Sequence, residues 1–256
     1  MSRDRLAALV ALLPEAPCLA LPAAEARLGF GVAHVDARLG GGLPVAALHE
    51  LYGAAEGDVP AMAALALLLA LRNGRAGPIV WVGEARSRQH GRLYGLGLVD
   101  LGVDPARLLL VEAPDTLAML RAGADAVACS GVAAVILVPH GKAPAIDLTA
   151  TRRLALAAAR SGVTVLLLRQ GTVVPSAAHS RWQVAAAASA RLAAEAPGPP
   201  AFALTLLRHR GGVTGFSTIL EWNRDRTAFG TATAGGASAA AFKPAGAASV
   251  PALCAA

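Results

Sequence analysis

The sequence predicts an α/β protein with a mostly parallel sheet flanked by helices and antiparallel strands toward its C-terminal end. Three observations carry this reading. Strand-like and helix-like segments alternate at short spacing from Ala47 to Gln170, the pattern of βαβ units. Segments such as "PIVWV", "AVILV" and "TVLLL" are continuous apolar runs, as expected of strands buried on both faces. After Gln170 the rhythm shifts to shorter strands joined by Gly-containing turns such as Arg210-Gly211-Gly212, which marks an antiparallel extension at one sheet edge.

The elements follow in order. Residues 1–28 read as an N-terminal helix and a Pro- and Ala-rich linker, with Leu6, Leu9, Val10 and Leu13 at i, i+3, i+4 and i+7 giving the helix one apolar stripe. A short helix around His34 to Leu39 is expected to end at the Gly40-Gly41-Gly42 run, where glycines permit a sharp turn. The first strand is placed at Ala47 to Tyr52 and the next helix at Pro60 to Arg72, with Pro60 in the first helical turn. "PIVWVGE" is the second strand, and a helix is predicted over Arg86 to Leu98. Asp104-Pro105 forms a turn before a strand at Leu108 to Val111. A helix from Thr116 to Ala128, a strand in "GVAAVILVPH", a helix from Leu148 to Ser161 and a strand in "GVTVLLLRQ" complete the alternation. "RWQVAAAASARLAA", "FALTLLRHRGG" and "FSTILEW" are the shorter strands. From Gly230 onward the chain is dominated by Ala, Gly, Ser and Pro without periodicity and reads as a disordered tail. The predicted organisation is therefore residues 1–28 as helix and linker, 29–229 as core, and 230–256 as tail.

Composition narrows the function. At 55% hydrophobic and 16% charged residues in 256, the chain has enough apolar content for one large core. Cys18, Cys129 and Cys254 lie far apart, and the six histidines include no H-x-x-x-H, so neither a zinc site nor a disulfide framework is indicated. The apolar run Ala61 to Leu71 is too short to span a bilayer. Arg3 and Arg5 before an apolar stretch mimic an export signal, but Asp4 and Pro14-Glu15 argue against it, and a cytoplasmic location is expected. There is no G-x-S-x-G elbow and no G-x-G-x-x-G after a strand. The formal charge of +6 arises wholly from residues 151–194, where Arg152, Arg153, Arg160, Arg169, Arg181 and Arg191 stand without a carboxylate. That stretch suits nucleic acid or an acidic protein partner, and equally a solvated face.

The turn in "HELYGAAEGDVPAMA" has the outline of a phosphate-binding loop without its chemistry. Aligning G-x-x-x-x-G-K-[ST] on Gly53 puts Asp58 at the second glycine, Val59 at the lysine and Pro60 at the hydroxyl. Gly53 and Gly57 remain as a degenerate nucleotide site. Glu56 and Asp58 place negative charge where a polyphosphate would lie. The strand expected to carry a magnesium-holding acid runs from Val138 into Pro139 and His140. Glu84 lies just past the "PIVWV" strand but has no positioned phosphate to serve, and Lys142 in "HGKAPA" reads as a loop lysine.

Together "LGGGLPVAALHELYG", the degenerate Gly53 to Pro60 turn, "PIVWVGE", "LGVDPARLLLVEAPD", "VAAVILVPH" and "LLLRHRGGVTGFSTILEW" resemble the RecA-like ImuA family over residues 28–226. The resemblance implies a RecA-like core and an accessory role in SOS-induced, error-prone translesion synthesis. It implies partners too: an ImuB-like Y-family protein and a DnaE2-type polymerase, with RecA left open as a third. The departures at Val59, Pro60 and Pro139 imply a non-catalytic adaptor with no cofactor; the alternative is a divergent RecA- or KaiC-like ATPase that binds DNA. By the same resemblance Arg181, Arg208 and Arg210 are the candidate DNA contacts, with Trp182, Phe202 and Phe216 the aromatics nearby.

Overall fold

A computed structural model of the chain describes residues 26–189, 192, 196, 198–213 and 215–232. The expected N-terminal helix with Leu6, Leu9, Val10 and Leu13, and the expected tail beyond Ala232, lie outside those residues. The described chain opens with a two-stranded antiparallel ribbon, β1 (Arg27–Leu28) and β2 (Leu43–Pro44), which the linker reading did not anticipate. Between them lies α1 (Ala33–Arg38), whose entry is fixed by Asp36: its carboxylate accepts the N–H groups of Phe30 at 2.7 Å and Gly31 at 2.9 Å. The glycine run then reverses the chain, all three residues having positive φ.

The remaining strands form one sheet: β3 (Leu48–Gly53), β4 (Ile79–Glu84), β5 (Leu108–Ala113), β6 (Ala134–Val138), β7 (Thr164–Arg169), β8 (Ser180–Ala187), β9 (Ala201–His209), β10 (Ser217–Asn223) and β11 (Ala228–Thr231). Their spatial order is β11-β10-β9-β8-β3-β7-β6-β4-β5. The pairs from β8 through β3, β7, β6 and β4 to β5 are parallel, and β8 to β11 are antiparallel. The mixed α/β class, the mostly parallel sheet and the antiparallel C-terminal strands are thus as the sequence predicts. One detail differs: β8, read as part of the antiparallel extension, pairs parallel with β3 and antiparallel with β9, so it is the seam between the two halves. Another is that β11 takes in Gly230 and Thr231, which the sequence reading gave to the tail.

Helices cover both faces. α2 (Val59–Arg72) packs on one face with Leu51, Ile136, Leu166 and Leu168; α4 (Thr116–Val127) and α5 (Leu148–Ser161) pack on the other, where Val80, Leu137, Val165 and Leu167 are buried. Alternate residues of β7 serve opposite faces, and every one of its residues is buried, which is why its sequence shows no polar alternation. α4 and α5 start on side-chain caps, with Asp115 accepting from the Ala118 N–H at 2.8 Å and Asp147 from the Ala150 N–H at 2.7 Å. The helix predicted over Arg86 to Leu98 is instead a 3₁₀ segment, Ala85–His90, followed by α3 (Gly95–Asp100). Gly91, at φ +107°, breaks the run, and Gly95 and Gly97 weaken its helical propensity.

α2 is buried around most of its circumference, every residue from Leu65 to Ala70 being nearly inaccessible. Its outer side is closed by the β1–β2 ribbon, α1 and the curled antiparallel strands. There Phe30, Trp182, Phe202, Phe216, Trp222 and Phe229 meet in tilted and edge-to-face pairs with centroids 4.9–6.2 Å apart. Six of the ten aromatic side chains of the whole sequence are gathered here, so aromatic packing is concentrated where the parallel sheet gives way to the antiparallel one. Arg72 fastens the end of α2 to both covers, donating to the carbonyls of Gly29 at 2.7 Å and Thr227 at 2.6 Å.

The ribbon closes only because Gly42 lacks a side chain. At φ +120°, a Cβ there would stand 2.5 Å from the Leu28 carbonyl oxygen, whereas at Gly40, φ +68°, it would meet nothing within 4 Å. Gly42→Ala is expected to lower the unfolding free energy by about 3 kcal/mol, against about 1 kcal/mol for Gly40→Ala, from backbone strain and the added clash. Urea unfolding of the two variants checks this; equal losses would mean the close approach of β1 does not hold the turn.

Candidate functional site

The carboxyl ends of β3, β4, β6 and β7 converge where open α/β sheets bind ligands. From Gly53 the chain is held to β8 by the Ala54 N–H, which donates to the Val184 carbonyl at 2.9 Å, before a 3₁₀ turn at Glu56–Asp58 leads into α2. Asp58 closes this turn. Its Oδ2 accepts the N–H of Ala55 at 3.0 Å and its Oδ1 the N–H of Ala186 on β8 at 2.9 Å. The carboxylate thus ties the turn to β8 and makes no cap bond to the first N–H groups of α2.

Gly57 does no work that needs a glycine, whereas a Cβ on Gly53 would stand 3.1 Å from the Ala55 carbonyl oxygen. Neither Gly53 nor Gly57 has a positive φ, so the turn does not form the alternating right- and left-handed nest that cradles phosphate. A Cβ on Gly57 would meet nothing within 4 Å. Val59, at the lysine position, is 6% exposed and part of the core, and Pro60 sits in the first turn of α2 as predicted.

Glu84, at the end of β4, is buried and committed. Its Oε2 accepts the hydroxyl of Thr116 at 2.8 Å and the N–H of His140 at 3.3 Å, joining the ends of β4 and β6 to the start of α4. It acts as a buried brace between elements, where the sequence suggested a surface or capping role. Lys142 lies with its side chain against Gly171, in a loop outside the β3–α2 turn. Among the described residues, no group of three or more His, Cys, Asp or Glu is placed to hold a metal ion.

The sheet interior holds a charged cluster that sequence reasoning missed. Glu50 of β3 is wholly buried between Arg169 of β7, whose Nη1 lies 3.2 Å from Oε1, and Arg181 of β8, whose Nε lies 3.0 Å from Oε2. The Ser176 hydroxyl donates to Glu50 Oε2 at 2.7 Å, and Arg181 Nη2 donates to the Ser176 carbonyl at 2.9 Å. The Arg169 guanidinium lies over the Tyr52 ring at 5.8 Å. Burial, and then the neighbouring Glu50 charge, raise the Tyr52 pKa above its ordinary value. A carboxylate inside "HELYG", in a strand expected to be buried, was the available signal: such a group demands a cation.

This geometry revises the basic stretch. Arg181, a candidate DNA contact, is 6% exposed with its guanidinium spent on Glu50 and Ser176, so it does not face solvent phosphate. Arg169 is equally enclosed, and Arg191 lies outside the described residues. Arg208 and Arg210 remain exposed at the end of β9, Arg210 donating to the Ala177 carbonyl at 3.2 Å. Trp182, Phe202 and Phe216 are core residues and offer no stacking surface for bases. Among the described residues, the exposed cations of the stretch are thus Arg152, Arg153 and Arg160 on α5, and Arg208 and Arg210 lie exposed beyond it.

At the opposite end of the strands three histidines meet edge to face, His179 lying 6.1 Å from His49 and 4.8 Å from His209 by ring centroids. The Trp182 indole donates to the Ser180 hydroxyl at 3.0 Å, which lies 2.7 Å from His49 Nδ1, and His49 Nε2 lies 3.0 Å from the Pro44 carbonyl of β2. A carbonyl only accepts, so the neutral ring is satisfied with its proton on Nε2. Burial holds the pKa of His49 down to about 4. His179 is likewise lowered to about 4, by burial and then by His209, Arg210 and Arg27; burial and Arg27 lower His209.

The chain is 36% identical over 205 residues to Protein ImuA of Caulobacter vibrioides, in each of two strains, an alignment covering 73% of this chain and 80% of that protein. No family model matches the chain.

The histidine cluster sets an acid limit on stability. Above pH 6.5 these rings are neutral in both the folded and the unfolded chain. Below it the unfolded chain takes up protons that the folded one refuses, so stability falls as pH drops from 6.5 toward about 4 and then levels off for these groups. His49, wholly buried, adds up to about 1.4 kcal/mol per pH unit to the slope. Unfolding free energies of the wild type and His49→Gln across this range are expected to show the shallower limb in the variant; identical limbs would mean His49 titrates normally in the fold.

Proposed function

The chain belongs to the ImuA family, and from that premise we propose that it is a non-catalytic accessory protein of SOS-induced DNA damage tolerance. In this reading it works in error-prone translesion synthesis with an ImuB-like Y-family protein and a DnaE2-type polymerase, and RecA is a further partner. The nine-stranded body serves as a RecA-like scaffold, and partner contacts extend to the chain's two ends. No helix among the described residues is long and apolar enough to cross a membrane; action in the cytoplasm, at the nucleoid, is part of the proposal.

The observation that carries the non-catalytic part is the double engagement of Asp58. Phosphoryl transfer relies on positioned positive charge around the phosphates. The turn offers a carboxylate, a buried valine and a proline in place of those groups. Glu84, the residue best placed to activate water, is already held by Thr116 and His140. DNA contact, in this proposal, falls to Arg208 and Arg210, weakly and without sequence preference.

Calorimetric titration of the protein with magnesium and ATP is expected to give no saturable binding, and incubation no phosphate release above background. Magnesium-dependent release that disappears in Glu84→Gln would overturn the reading and install the ATPase alternative. For DNA, fluorescence anisotropy with a labelled oligo-dT should show affinity falling with salt by roughly 0.7 per phosphate contacted in a log–log plot. Replacing Arg208 and Arg210 by Ala should flatten that slope, and an unchanged slope would remove both residues from the interface.

A further inference from the structure

We propose that the outer face of α5 is a docking ridge for an acidic amphipathic helix of a partner protein. Leu148, Arg152, Leu156 and Arg160 follow one another at four-residue intervals, which places them on a single i±4 ridge of the helix. Thr151, Leu154 and Ala158 supply the opposite face and are buried. The ridge is open: Leu148 is 53% and Leu156 50% exposed, and Arg152, Arg153 and Arg160 are exposed beside them. On α4, which packs against α5, Leu117 is 51% exposed, and Arg121 and the acid Asp125, at the next two four-residue steps, are exposed as well.

The charges on this ridge are uncompensated. α5 contains three arginines and no carboxylate. The acid at its start, Asp147, is used as the helix cap. Among the described residues, Arg152, Arg153 and Arg160 have neither an ion pair nor a hydrogen bond. A merely solvated helix face usually mixes the two signs and keeps its leucines inward. Exposed leucines alternating with arginines are instead the composition of a protein interface, where large apolar groups bury and arginine pairs with carboxylates around them.

The alternation also selects the occupant. Phosphate backbones would engage the arginines but leave both leucines in water. A helix carrying leucine-like residues at i and i+4 between glutamates or aspartates satisfies both, ridge into groove. The inference goes beyond the proposed function and does not depend on the fate of nucleotide at the β3–α2 turn.

The test uses the full-length protein and a fluorescein-labelled synthetic helical peptide with leucine at every fourth position and glutamate between, read by anisotropy. Saturable binding is expected, weakened roughly tenfold or more in Leu148→Ser/Leu156→Ser and in Arg152→Glu/Arg160→Glu, with melting curves by circular dichroism unchanged. The charge-reversed variant should bind oligo-dT as the wild type does. Should charge reversal lower the melting curve, Arg152→Gln/Arg160→Gln carries the same expectation. Four results would overturn the proposal: no saturable peptide binding, equal binding of a sequence-scrambled peptide, unchanged binding by the leucine variant, or loss of oligo-dT binding in place of peptide binding. A fifth is a tenfold gain in peptide affinity in Leu9→Ser/Leu13→Ser, which would identify the chain's own N-terminal segment as the occupant.

Discussion

The sheet is organised around one buried carboxylate. Glu50 cannot be ionised in the interior without a cation, and it takes one from each neighbouring strand, Arg169 from β7 and Arg181 from β8. Those strands lie on either side of β3, so satisfying Glu50 fixes which strands flank it. It fixes their register too, because a one-residue slip would turn either guanidinium to the other face. Ser176, bound to the same carboxylate, ties down the connection from β7 to β8. Removing one member of such a buried cluster typically costs about 3–5 kcal/mol, since the remaining charges lose their compensation.

Where that polar brace sits at the seam of the sheet, an apolar one sits beneath it. Trp182 follows Arg181 directly and points to the opposite face, into the ring cluster formed with Phe30 and Phe216. A register irregularity between Arg181 and Trp182 in the pairing with β9 marks the spot where the strand serves both demands. β8 is thereby fastened on both faces, which suits a strand that must pair parallel on one side and antiparallel on the other.

Elements built from local rules were legible in the sequence. The apolar runs of β4, β6 and β7, the capped starts of α4 and α5, and the Gly40 to Gly42 reversal all announce themselves within a few residues. What was not legible depends on distance along the chain. Glu50 meets Arg169 and Arg181 across 119 and 131 positions, and no local pattern separates an arginine that will be enclosed from one that will face water. The same limit hid the β1–β2 ribbon, two residues a side, and made buried Trp182 and Phe202 read as aromatics near a basic surface. In the degenerate turn the sequence showed which phosphate-binding groups are missing; only the fold shows the Asp58 carboxylate bound to the Ala55 and Ala186 N–H groups.

A group covalently attached to its own binding site acts as a permanent competitor. Because Asp58 is only three residues from Ala55, its carboxylate is present at the turn at an effective concentration that a free anion would have to match, on the order of millimolar for short tethers. Val59, packed in the core, means that a lysine introduced there would begin life desolvated. Building a nucleotide site at this turn would therefore require several simultaneous changes. The turn carries its own anion, and an outside one would meet donors already engaged beside a helix start formed by Asp58 and the buried Val59.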